Sequence, residues 1–245
     1  MASARRPASE SRTDEGASGE PFSSDQAEGP AVRGFLHRPA DRPADGLVLT
    51  HGAGGNANAP LLVALARALA AAGVTVLRCD LPFRQDRPKG PPSPSRAARD
   101  RDGLRRALSE LGELAPGRLF LGGLSYGGRQ ASLLAAEEPR VARALLLLSY
   151  PLHAPGRQGE LRTAHFPRLS TPTLFAHGSL DPFGSLDHLN AARALIPAPT
   201  ALVAIEGAGH GLGRGARDPR PAPDVVSRVV EEFVAFANAN RGELP

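Results

Sequence analysis

Cysteine and long apolar runs are scarce in this sequence of 245 residues. Cys79 is the only cysteine, which excludes an internal disulfide and a zinc site built from several cysteines. No uninterrupted apolar run reaches the roughly 18–20 residues that a membrane helix needs, so we expect no membrane partner. Residues 1–30 contain no apolar stretch typical of a secretory signal peptide, and we therefore expect a cytoplasmic location.

Lysine and aromatic residues are also rare, although the chain is basic, with a net charge of +4. Of the 29 basic residues only Lys89 is a lysine, and the arginines are spread through nearly every segment. Aromatic residues make up 4% of the chain, too few for a set of base-stacking platforms. We expect no nucleic-acid partner, and the absence of a clustered Cys/His pattern predicts no metal.

The composition changes near residue 30. Residues 1–30 are rich in Ser, Glu, Ala, Gly and Pro, which predicts a disordered tail. Hydrophobic residues make up 41% of the chain, enough for a sizeable core. We therefore predict one folded domain over residues 31–245.

From residue 31 onward, short apolar runs of strand length alternate with longer segments of helical period. The predicted strands are Val32–His37, Leu47–His51, Val74–Cys79, Leu119–Leu124, Ala144–Ser149, Thr173–His177 and Ala201–Ile205. This alternation predicts an α/β fold of three layers, with a mostly parallel central sheet and helices on both faces. The segment near residues 150–171 is too short for a lid domain.

Gly123-Leu124-Ser125-Tyr126-Gly127 has the pattern Gly-x-Ser-x-Gly, placed where a predicted strand turns into a helix. A turn that thrusts the serine hydroxyl outward brings strand and helix backbones together, and only small residues fit there. The start of the helix would also favour the negative charge that develops on an attacked carbonyl oxygen. The pattern therefore predicts Ser125 as a nucleophile.

A serine nucleophile needs a general base and an acid that orients the base. His210 lies in a glycine-rich loop after the last predicted strand, and Asp181 closely follows another strand. We predict the triad Ser125, Asp181 and His210, with Asp181 preferred over Asp187 as the acid. The alternatives are a turn-forming aspartate before proline and a solvated loop histidine.

The oxyanion formed by such an attack needs two N–H donors. We predict the backbone N–H of Tyr126, after the nucleophile, and that of Ala53, in the loop after an early strand. His51 is interpreted as holding that loop by hydrogen bonds. The loop glycines match neither a phosphate loop nor a dinucleotide fingerprint, so no cofactor is predicted.

These residues resemble the α/β-hydrolase superfamily over about residues 30–240. Three segments are similar to a bacterial group related to dienelactone hydrolase and to the Tex/KANL-type α/β-hydrolase-like domain: Gly127-Gly128-Arg129, Ser149-Tyr150-Pro151-Leu152-His153 and His177-Gly178-Ser179-Leu180-Asp181-Pro182-Phe183-Gly184. The resemblance implies a small serine hydrolase without a lid. Dienelactone hydrolase proper has a cysteine nucleophile where this chain has Ser125, so its particular substrate is not carried over.

The leading hypothesis is a Ser-His-Asp hydrolase that cleaves a small carboxylic ester, or a related acyl bond, of a small-molecule substrate through an acyl-enzyme. The alternative is a non-catalytic scaffold that binds a partner, although such a scaffold is expected to have lost a triad member and this chain has lost none. Acyl transfer to an acceptor other than water uses the same residues. Four arginines on nearby loops, Arg84, Arg129, Arg157 and Arg162, favour a substrate that bears a carboxylate. For Arg129 taken alone, pairing with an acidic side chain is the preferred interpretation.

Overall fold

The computed structural model of the chain describes residues 19–25, 29–41, 45–154, 157, 159–213 and 221–242. Its strands are β1 (Glu20–Ser24), β2 (Val32–His37), β3 (Asp45–Thr50), β4 (Val74–Cys79), β5 (Leu119–Leu124), β6 (Leu145–Leu148), β7 (Thr173–Gly178) and β8 (Thr200–Ile205). Its α-helices are α1 (Pro60–Ala71), α2 (Pro82–Asp86), α3 (Ala97–Leu114), α4 (Tyr126–Glu137), α5 (Leu186–Arg193) and α6 (Pro223–Ala239). The α/β fold predicted from the sequence is confirmed.

The strands form a sheet in the order β1-β2-β4-β3-β5-β6-β7-β8. The β1–β2 and β2–β4 pairs are antiparallel, and the other pairs are parallel. Thr50 at the end of β3 stands beside Gly123 near the end of β5 in this register. The loops that leave β3 and β5 therefore start next to each other, at the edge of the sheet where ligands of α/β folds bind.

Helices cover both faces of the sheet because its central strands are apolar on both sides. One core contains side chains of α3, α4 and α5, with Leu104, Leu134 and Leu189 fully buried. The other contains side chains of α1 and α6, with Leu65 and Phe233 fully buried. These two apolar layers hold the sheet edge, and hence the loops on it, in place.

The structure differs from the sequence prediction at Glu20–Ser24, which lies in the segment predicted to be a disordered tail. These residues form β1, the edge strand paired with β2, and the half-buried Phe22 packs against the core. An edge strand needs only one partner and one anchoring side chain, so its polar composition did not reveal it. Residues 1–18 and 26–28 lie outside the described residues, and the boundary at residue 31 stays a prediction.

The segment between β6 and β7 packs against the fold through the buried Phe166 and Leu169. In its described part it contains one short 3₁₀ turn, Phe166–Arg168, and no α-helix. This arrangement agrees with the prediction that the fold has no lid domain. Among the described helices, none is both long and apolar enough to cross a membrane.

Candidate active site

Ser125 lies between β5 and α4 in a strained backbone conformation, with φ of 53° and ψ of −113°. A positive φ is rare for a residue with a side chain and costs of order 1–3 kcal/mol. The turn is held by the Ser125 N–H, which donates to the Leu148 carbonyl at 2.8 Å. This conformation places the Ser125 hydroxyl beyond the sheet edge, at the start of a helix.

Glycine is required on both sides of Ser125 because the backbones there are too close together for larger side chains. A Cβ on Gly123 would lie 2.6 Å from backbone atoms of Gly127 and Gly128. A Cβ on Gly127 would lie 2.6 Å from the His51 carbonyl oxygen. Since real Cβ atoms do not approach backbone this closely, any larger residue would push the helix away from the strand.

His210 connects Ser125 with Asp181. The Ser125 hydroxyl donates to His210 Nε2 at 2.7 Å, and His210 Nδ1–H donates to Asp181 Oδ2 at 2.8 Å. The ring of Phe183 packs edge-on against the His210 ring, with centroids 4.4 Å apart. The three residues predicted from separate segments of the sequence therefore lie in one hydrogen-bonded chain.

The Asp181 side chain is completely buried, at 0% exposure. Its Oδ1 accepts from the Phe183 N–H at 2.9 Å, and its Oδ2 accepts from His210. Both oxygens therefore have a donor, as a buried carboxyl group needs. Asp187, the alternative acid, lies exposed in the first turn of α5, where it complements the helix dipole.

The loop after β3 borders the nucleophile. A Cβ on Gly52 would lie 3.4 Å from the Ser125 Cβ, and Ala53 is the next residue of this loop. Tyr126 is the first residue of α4, a position whose N–H has no carbonyl within the helix to bond. Of the two predicted oxyanion donors, Tyr126 directly follows Ser125, and Ala53 follows Gly52, which borders Ser125.

Arg84 in α2 holds the loop that carries Ala53. Its guanidinium donates to the Ala53 carbonyl at 2.7 Å and to the Gly55 carbonyl at 2.8 Å. Two further bonds, each 3.2 Å, reach the carbonyls of Arg87 and Gly90. Arg84 is 7% exposed, and its donors point at backbone. The sequence-based suggestion that Arg84 faces a substrate carboxylate is therefore corrected: it supports the loop.

His51 and Asp100 complete this support. His51 Nδ1–H donates to the Gly52 carbonyl at 2.8 Å, Nε2 accepts from the Leu81 N–H at 3.1 Å, and burial lowers the pKa of the ring. Asp100 accepts from the Tyr126 hydroxyl at 2.7 Å and from the Phe83 N–H at 3.0 Å, while burial raises the pKa of its carboxyl.

Sequence reasoning missed Asp100, although a signal was present. Asp100 is an acidic residue on the stripe that continues through Leu104, Leu108 and Leu111, which all face the core. A carboxyl group at a buried position of an amphipathic helix needs a donor, and this one links α2 to the residue after Ser125.

A second serine–histidine contact lies within the fold. Ser132 in α4 and His165 are 2.8 Å apart, Oγ to Nε2, and are 0% and 3% exposed. The Ser132 hydroxyl also donates to the Arg129 carbonyl one turn earlier. In the described residues no carboxylate bonds His165, and the pair is closed to a substrate, so this contact packs α4 against the segment before β7.

Within the described ranges, no group of three or more His, Cys, Asp or Glu side chains is arranged to hold a metal ion. Cys79 is buried in β4, where burial raises the pKa of its thiol to about 12. It behaves there as a small apolar side chain.

The strained serine elbow, the three-residue chain and the parallel sheet define the α/β-hydrolase class of fold. A family model described as an alpha/beta hydrolase domain matches residues 43–238 of this sequence. The chain therefore belongs to the alpha/beta hydrolase domain family, as the sequence resemblance implied.

Solved structures of similar fold include Est1E from Butyrivibrio proteoclasticus, with a TM-score of 0.70, 19% identity and coverage of 90% of this chain and 99% of that one. The dienelactone hydrolase from Anabaena variabilis has a TM-score of 0.67 at 19% identity, with the same two coverages. XC6422 from Xanthomonas campestris, described as a serine hydrolase without lid, has a TM-score of 0.60 at 18% identity and covers 87% of this chain and 94% of its own. At these identities the likeness concerns the fold.

Proposed function

We propose that this protein is a serine hydrolase that cleaves a small carboxylic ester through an acyl-enzyme. The observation that carries the proposal is the continuous hydrogen-bonded chain from Asp181 through His210 to Ser125, with the serine on a strained turn. A histidine held by a buried carboxylate is oriented to take the serine proton, which converts a poor nucleophile into an effective one.

In the acylation step, the Ser125 oxygen attacks the ester carbonyl carbon while its proton passes to His210 Nε2. Asp181 stabilises the imidazolium that forms. The N–H groups of Tyr126 and Ala53 donate to the new oxyanion, which then collapses as His210 returns the proton to the departing alcohol. The products of this step are an alcohol and an ester of Ser125.

In the deacylation step, water takes the place of the alcohol. His210 removes a proton from the water, whose oxygen attacks the acyl carbon of the Ser125 ester. The tetrahedral intermediate is stabilised by the same two N–H groups. Collapse returns the proton to Ser125 and releases a carboxylic acid, which restores the starting state.

Labelling with a fluorophosphonate, followed by peptide mass spectrometry, tests this proposal. We expect the label on Ser125 and its loss in Ser125→Ala. Ser132→Ala is the matched control because Ser132 also contacts a histidine but is buried without an orienting acid, and this variant should keep the label.

The parent protein should also release p-nitrophenol from p-nitrophenyl acetate with an initial burst, which is the kinetic sign of an acyl-enzyme. A folded parent protein that neither takes the label nor hydrolyses a panel of small esters would overturn the proposal and favour the scaffold alternative. Labelling that persists in Ser125→Ala would show that another residue is the nucleophile.

A further inference from the structure

Among the residues that the structure describes, Arg129 and Arg162 have no anionic partner. Arg129 is in the first turn of α4, where its N–H donates to the Ser125 carbonyl at 2.9 Å. Its side-chain Nε is buried and has no hydrogen-bond partner. Among the described residues, neither Arg129 nor Arg162 forms a side-chain hydrogen bond or a salt bridge, whereas Arg101 and Arg105 of α3 pair with Glu137 and Glu138.

Burial and the positive charge of Arg129 both lower the pKa of Arg162 and of His165. Burial lowers the pKa of Arg162, and the charge of Arg129 lowers it further, so the two cations repel each other. Burial likewise lowers the pKa of His165 to about 4, with Arg129 contributing. Bringing two like charges together out of water is unfavourable unless an anion joins them.

The segment that carries Arg162 is tied to the loop of Asp181. The Tyr150 hydroxyl donates to the Arg162 carbonyl at 2.7 Å, and the Arg162 N–H donates to the Leu152 carbonyl at 2.7 Å. Leu152 packs against Gly184, where an added Cβ would lie 2.7 Å from Leu152 Cδ1. Gly184 adjoins Phe183, the residue that packs on His210.

The helix that starts after Ser125 therefore carries Arg129, and the segment that contacts the Asp181 loop through Leu152 carries Arg162. The two remaining arginines of the sequence-based set have other roles. Arg84 bonds backbone carbonyls of its neighbouring loops, and Arg157 is exposed and lies 3.6 Å from Glu160.

We propose that Arg129 and Arg162 form a subsite for a carboxylate carried by the ester substrate, an inference that rests on the proposed hydrolase function. A guanidinium presents a planar fork of N–H donors that matches the two oxygens of a carboxylate, and it stays charged at any physiological pH. The bound anion would satisfy the buried Nε of Arg129 and relieve the repulsion between the two cations. The enzyme then selects anionic esters over neutral ones of similar size.

The test compares kcat/KM for two matched pairs of esters. In the first pair the acyl part is anionic or neutral: p-nitrophenyl hemisuccinate and p-nitrophenyl butyrate. In the second the alcohol part is anionic or neutral: 4-carboxyphenyl butyrate and its methyl ester. Because the anionic-to-neutral ratio of a pair is compared between protein variants, the intrinsic reactivity of the esters cancels.

We expect this ratio to fall about tenfold or more in Arg129→Met and in Arg162→Met, for one of the two pairs. Arg168→Met is the matched control, since Arg168 is exposed, lies in the same segment and carries the same charge. Its ratio should stay within about twofold of the parent, as expected for a screened surface charge. Arg129→Lys, which keeps the charge but not the fork, replaces Arg129→Met if that variant does not fold.

Ratios that are unchanged in both arginine variants, or that fall equally in Arg168→Met, would overturn the subsite while leaving ester hydrolysis intact. If no ester is hydrolysed and no label forms, the proposed hydrolase function is overturned, and the subsite is tested by binding alone. Binding of p-nitrophenyl hemisuccinate to Ser125→Ala, followed by saturation-transfer NMR, then decides the subsite. Binding that is lost in the Arg129→Met and Arg162→Met backgrounds supports it, and binding that is absent or unaffected overturns it.

Discussion

Arg84 offers a sharp test of how the site is held together. The side chain is 7% exposed and donates to four backbone carbonyls, two of which belong to the loop that carries Ala53. Arg84→Met keeps the aliphatic stem but removes all four hydrogen bonds. The loop would then lose its attachment to α2, and the Ala53 N–H, the proposed oxyanion donor, would lose its fixed position.

The size of the effect follows from these contacts. Removing one oxyanion donor outright costs about 10²–10³ in kcat, and Arg84→Met only loosens a donor, so we expect kcat to fall by about 10–10². Hydrogen bonds from a charged group contribute about 1.5–3 kcal/mol each, but the freed carbonyls can be hydrated. We therefore expect the free energy of unfolding to fall by about 2–4 kcal/mol in total.

The assay is the hydrolysis of p-nitrophenyl acetate, with urea unfolding measured on the same preparations. Arg87→Met is the matched control because Arg87 follows α2 directly, is exposed and donates to the Pro91 carbonyl at 2.9 Å. We expect it to leave both kcat and stability nearly unchanged. A folded Arg84→Met variant whose kcat falls less than about threefold, or an equal loss in Arg87→Met, would refute the argument.

Three further predictions follow from the structure. Asp181→Asn should lower kcat by about 10⁴ and exposed Asp187→Asn by little, and the reverse ranking would reassign the acid. The pKa of His165 drops from 6.5 to about 4 on folding, so its contribution to stability is present above pH 6.5 and is lost as the pH falls towards 4. Between pH 7 and 4.5, the free energy of unfolding measured with denaturant should therefore fall by about 2 kcal/mol less in His165→Gln than in the parent protein. Equal falls in the two proteins would contradict a buried neutral ring. Across p-nitrophenyl esters from acetate to decanoate, kcat/KM should gain little beyond a few carbons, because no α-helix in the described part between β6 and β7 extends the pocket. A steady rise in kcat/KM up to decanoate would contradict this.

The sequence by itself determined seven of the eight described strands and the candidate residues on the loops between them. Val74–Cys79 and Leu119–Leu124 coincide with β4 and β5 because apolar runs of strand length can be buried on both faces only inside a parallel sheet. The strained turn at Ser125 was equally predictable, since the contacts that demand glycine at Gly123 and Gly127 arise within a few residues of the serine or on the adjacent strand.

The tertiary structure alone decided which distant groups meet. Arg84 and Asp100 are separated in sequence from the loop and the helix they hold, and their roles follow only from the packing of α2 and α3 against the sheet edge. Arg129 looks like one of many arginines until the fold places it one turn after Ser125, with its Nε buried and unbonded among the described residues. Local sequence patterns show which residues of a helix or strand face the core. A long-range hydrogen bond or an unpaired charge depends instead on which elements the sheet order brings together.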